Sequence, residues 1–168
     1  SPTKRWVQES AQQNLLITRL TAGVAALQNK NSEPFDGSNL IMNSGATKLF
    51  SIADPTGQII IYDGRVGAAL GLLARRYLHQ KGQQSLPDAL KFSWGTSRSK
   101  EHNRNPSDQS YSFPRLFGSQ RDQQHAKMVI RASELLAQLA NLTSCTPRDW
   151  ENALFMIGYT LENHSNGG

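Results

Sequence analysis

The sequence predicts a mainly α, compact single-domain fold carrying one long basic loop. Three observations lead there. Apolar residues recur at helical spacing in five segments, each bounded by start or stop signals. Only one short run, Ile59-Ile60-Ile61-Tyr62, has β-branched, extended character. At 168 residues the chain matches one domain with a single core, and it contains no internal repeat or heptad pattern.

The elements follow in order. Residues 4–28 place Val7, Ala11, Leu15, Leu20, Val24 and Leu27 near one helical face, which predicts a helix there. Residues 29–37 (Asn-Lys-Asn-Ser-Glu-Pro-Phe-Asp-Gly) read as a loop. Ser44 suits the N-cap of a short helix carrying Ala46, Leu49, Phe50 and Ala53, closed by Asp54-Pro55-Thr56-Gly57. The extended run 59–62 follows. Asp63 then suits the N-cap of a helix over 63–79 that buries Val66, Leu70, Leu73 and Tyr77.

Residues 91–118 hold Gly95, Pro106, Pro114 and many Ser and Asn, and predict a long loop. Trp94, Tyr111 and Phe113 within it argue for order. A helix over 119–142 carries His125 on the face of Met128, Val129 and Ala132, where a histidine reads as a hydrogen-bonded core residue. The last helix follows Thr146-Pro147-Arg148-Asp149, with a capping threonine, proline at the first helical position and an acid at the third. It is expected to bury Trp150, Leu154, Ile157 and Leu161.

Composition excludes several classes. No apolar run approaches the roughly 20 residues of a membrane helix, and Ser1–Gln13 has no signal-peptide character. The single cysteine, Cys145, excludes an internal disulfide framework and a four-cysteine metal site, and reads as a reduced thiol of a cytoplasmic protein. No histidine or carboxylate spacing forms a metal site, so neither metal nor cofactor is expected.

The net charge of +5 is carried by one segment. Lys91 to Arg131 contains eight basic residues (Lys91, Arg98, Lys100, Arg104, Arg115, Arg121, Lys127, Arg131) and three acids, while the remainder sums to zero. Such segregation points to a polyanion partner, the alternative being a loop kept soluble by its charge. Arg98, Lys100, Arg104 and Arg115 are the candidate phosphate contacts, and Trp94, Tyr111 and Phe113 the candidate platforms for a base.

The most informative segment is Ser44–Leu73, SGATKLFSIADPTGQIIIYDGRVGAALGLL. Its Ser44-Gly-Ala-Thr-Lys48 and Tyr62-Asp-Gly-Arg-Val66 motifs resemble the active-site region of the helix-hairpin-helix DNA glycosylase superfamily, in particular proteins of the 8-oxoguanine glycosylase fold. The resemblance implies a helix-hairpin-helix glycosylase fold, with Asp63 as the catalytic aspartate and Lys48 at the position of the family's lysine. It also implies a double-stranded DNA partner with nucleoid association, and DNA contacts through Ser44, Gly45 and Thr47.

The chemistry follows from the residue types. Cleaving a base–sugar bond builds positive charge on the sugar, which a fixed carboxylate such as Asp63 stabilises. An amine, Lys48, attacking the sugar carbon would form a Schiff base and add strand nicking. Arg65 suits a phosphate at the helix start, and the target base must leave the duplex to react. The expected activity is excision of a damaged or modified base, either an oxidised purine or a phage-type modified base, in repair or antiviral defence. Two other readings use the same features: a DNA-binding module without catalysis, and a helical interaction protein in which Asp63 is only a cap.

Overall fold

A computed structural model describes residues 1–97, 99, 101–116 and 121–161. Among the described residues the regular structure is helical: α1 (Pro2–Gln12), α2 (Leu16–Gln28), α3 (Ala46–Ala53), α4 (Gly64–Gln80), α5 (Arg121–Leu142) and α6 (Pro147–Ile157), with a 3₁₀ turn at Asp88–Leu90. The mainly α expectation holds. The chain divides into two compact units, 1–62 with 117–151 and 63–116 with 152–168. Both units are discontinuous in sequence, so no linker composition marks the division.

In the first unit the predicted helix over 4–28 is two helices. Asn14 adopts φ 56°, and the amides of Asn14 and Leu15 close back on the carbonyls of Ala11 and Ser10 at 3.0 and 2.8 Å. Asparagine tolerates this left-handed geometry at little cost, so it ends α1 despite the continuing apolar period. Helix α2 packs on α1, α3 and α5. Its Gly23 lies against the Phe50 ring, 2.2 Å from where a Cβ would stand. Phe50 is fully buried, tilted against Trp6 and edge-on to Phe35 at a centroid distance of 5.6 Å.

Ser44 is exposed and does not cap α3. The cap position is Gly45, and the Asn43 side chain accepts from the amides of Gly45 and Ala46 at 2.9 and 3.1 Å. At the other end Asp54, buried and negatively charged, accepts from the amides of Thr56, Gln58 and Ile59, the Thr56 hydroxyl and the Gln28 amide group. Burial alone would raise its pKa; these bonds outweigh it and hold the carboxyl below the ordinary aspartate range.

The extended run 59–62 forms no ladder with another strand among the described residues. Side chains take the place of a neighbouring strand. The Ile59 carbonyl accepts from Ser51, and the Ile60 amide donates to Ser133. The Ile61 amide donates to Glu151, and the Tyr62 carbonyl lies 2.7 Å from His125 Nε2. Thr47 serves twice, donating to the Ile60 carbonyl and accepting from the Tyr62 amide. This explains why Thr47, Ser51, His125 and Glu151 are buried, since an unpaired backbone polar group in the interior is costly. The core role expected of His125 holds.

In the second unit α4 starts at the predicted aspartate, but Leu73 and Tyr77 are exposed, and the buried set is Val66, Ala68, Ala69, Leu70, Leu72, Ala74 and Leu78. Ala68, Leu72, Ala74 and Leu78 form one cluster with Trp94, Tyr111, Phe113 and Leu161. Within the basic loop, Trp94, Tyr111 and Phe113 anchor the described segments to this cluster. Trp94 donates from its indole to the Phe113 carbonyl, its amide to the Pro114 carbonyl, and its own carbonyl accepts from Leu116. On α6 the predicted cap is present, with Thr146 and Asp149 bonded reciprocally, while Ile157 is exposed rather than buried.

Candidate nucleic-acid interface

Asp63 is the N-cap of α4. Its backbone is extended (φ −112°, ψ −177°), and its Oδ1 accepts from the amides of Arg65 and Val66 at 2.8 and 3.0 Å. The carboxylate is therefore aimed by the helix it caps, and the residue is only partly buried.

Two close backbone approaches set what surrounds that cap. Gly64 lies against Gly95 of the basic loop: a Cβ on Gly64 would stand 2.7 Å from the Gly95 Cα, and the Gly95 amide donates to the Gly64 carbonyl at 3.3 Å. Gly158, just past α6, lies against Arg65, where a Cβ would stand 1.9 Å from the Arg65 carbonyl oxygen. Any side chain at either position drives backbone from backbone.

The Gly158 approach brings Arg65 against two rings, with its guanidinium carbon 4.3 Å from the Phe155 centroid and 4.7 Å from that of Tyr159. Arg104 joins the cluster from the basic loop by donating Nε to the Tyr159 carbonyl at 3.3 Å. Burial, and then the like charge of Arg65, lower the pKa of Arg104, partly offset by the charge of Asp63. His102 completes the group: its ring is 4.5 Å from that of Tyr159, and its Nδ1 is 2.7 Å from the Thr160 hydroxyl. The chain is tied here by the Leu161 amide donating to the Asn103 carbonyl at 2.7 Å.

Of the residues predicted from sequence, Asp63, Arg65 and Arg104 are thus brought together. Arg115 is exposed, with its guanidinium 5.0 Å from the Trp94 ring. Arg98 and Lys100 lie outside the described residues. Lys48 is exposed on α3 of the first unit.

The remaining sites need correction. Thr47 is fully buried, and its hydroxyl is used by the run 59–62 rather than offered to DNA. Gly45 has its amide taken by Asn43, and a Cβ there would meet Thr3 Oγ1 at 2.6 Å. Trp94, Tyr111 and Phe113 are 5, 3 and 4% exposed, so they serve as core anchors and present no ring face to a base. Sequence reasoning missed Phe155 and Tyr159. Phe155 lies on α6 and Tyr159 just past its end, and nothing local indicates that an arginine ninety residues earlier packs on both.

Comparison with models of protein families, with curated proteins and with solved structures found no match.

Proposed function

We propose that the chain binds double-stranded DNA through its second unit and hydrolyses the N-glycosyl bond of a damaged or modified base, with Asp63 as the catalytic carboxylate. The observation that carries this reading is the Asp63 side chain, held by two amides and partly open to solvent. Two guanidiniums, Arg65 and Arg104, are close enough to act on one another electrostatically and to draw a polyanion toward it. A carboxylate fixed before the reaction stabilises the charge that develops on the sugar without reorganising. The segregated positive charge of residues 91–131 supports a DNA partner.

A lyase step through Lys48 draws no support from its surroundings, because a nucleophilic amine needs a desolvated setting and Lys48 is exposed. The second reading, a DNA-binding module without catalysis, is favoured by one observation. Capping the helix already accounts for the position of Asp63.

The test is incubation with duplexes carrying oxidised, alkylated, deaminated or phage-type modified bases, with alkali cleavage reporting abasic sites. Base release by the wild type and not by Asp63→Asn supports the glycosylase. Salt-sensitive binding by both proteins with no release by either replaces it with the binding module.

A further inference from the structure

We infer that Arg65 and Arg104 together hold a single phosphodiester of the DNA backbone, in a site built by the end of α6 and the basic loop. The inference rests on the DNA-binding reading above and names the contact that reading requires.

The Arg65 guanidinium packs on the rings of both Phe155 and Tyr159, which restrains it and leaves its N–H groups for an acceptor. Among the described residues, no carboxylate forms an ion pair with Arg65 or Arg104. Arg104 uses Nε on the Tyr159 carbonyl, the residue whose ring covers Arg65. One residue therefore positions both cations. Against the like charge of Arg65, Asp63 is the acid whose charge acts on Arg104.

An anion offering two or more oxygens satisfies the remaining donors and removes the repulsion between the guanidiniums. A phosphodiester, with two non-bridging oxygens, fits that demand. His102, oriented by Thr160 and packed on Tyr159, lies at the edge of the same group. Phe155 and Tyr159 remain 36 and 43% exposed, so the site is open to a ligand as large as a strand.

The experiment is fluorescence anisotropy of a labelled 20-base-pair duplex at several salt concentrations, with wild type, Arg65→Gln, Arg104→Gln and the double variant. Each single change is expected to weaken binding about tenfold. If both arginines serve one phosphate, the double variant falls well short of the product of the single losses, and its salt slope drops by about one rather than two. A duplex carrying one neutral methylphosphonate, moved along the strand, adds a check that does not depend on Arg65→Gln folding. One position should weaken the wild type and weaken Arg104→Gln and Arg65→Gln distinctly less.

Multiplicative losses with a slope change of about two mean separate phosphates and overturn the shared site. Unchanged binding by the variants overturns it while leaving the DNA reading intact. No binding by the wild type at low salt removes both.

Discussion

The buried hydroxyl of Thr47 accepts a hydrogen bond from the amide of Tyr62 at 3.0 Å, and Tyr62 is the residue immediately before Asp63. The extended approach to the candidate catalytic residue is thus held by a side chain. Replacing Thr47 by Val keeps the shape and strands that amide in the interior. The expected cost is about 1–3 kcal/mol, the penalty for an unsatisfied buried group. Urea unfolding should show a lower midpoint with an unchanged slope.

Asp63 has two separable roles. Asparagine caps a helix about as well as aspartate, so Asp63→Asn should leave the melting temperature nearly unchanged while abolishing base release. Asp63→Ala should lose about 1 kcal/mol of stability as well. Equal activity in Asp63→Asn and wild type would end the catalytic assignment.

Gly158 permits the close approach that places Arg65 against the Phe155 and Tyr159 rings. Gly158→Ala puts a methyl into the Arg65 carbonyl, and backbone on both sides cannot yield as a flexible side chain does. Destabilisation of about 1–3 kcal/mol is expected, together with weaker DNA binding. Wild-type stability and affinity in this variant would show that the close approach is dispensable.

The Asp54 carboxyl sits below the ordinary aspartate range in the folded chain because its hydrogen bonds outweigh burial. Its charged form is thus favoured by folding. The stability it contributes is complete above the unfolded value, about 3.9, and is lost as pH falls from there through the lower folded value. Asp54→Asn should be less stable at neutral pH and show a flatter decline in acid. A parallel acid limb in variant and wild type would contradict this.

Trp94 packs in the core of the second unit and donates to the Phe113 carbonyl. Trp94→Phe loses that hydrogen bond, about 1 kcal/mol, and should bind DNA as tightly as the wild type under conditions where both are folded. A large loss of affinity with an intact fold would return Trp94 to the role of a base platform.

The sequence by itself determined what depends on neighbours a few residues away. The Asp63 cap bonds span two and three residues, and the Thr146–Asp149 cap spans three, so the starts of α4 and α6 were legible. The clustering of positive charge needed no fold to be seen; Arg65 and Arg104 were nameable as candidates from residue type and position, and Asp63 from the resemblance of its motif. Tertiary structure decided everything that depends on residues distant in sequence. Ile59–Tyr62 reads as a strand because local preference is all a short run can express. Partners as far along the chain as Ser133 and Glu151 instead satisfy its backbone with side chains. The loop aromatics were expected to be platforms because an aromatic among arginines looks the same in sequence whether it faces solvent or core. Burial of Trp94, Tyr111 and Phe113 settles that by removing apolar area from water. Phe155 and Tyr159 became part of the site because Gly158 lets one backbone reach another, and such a meeting is a property of the packed chain alone.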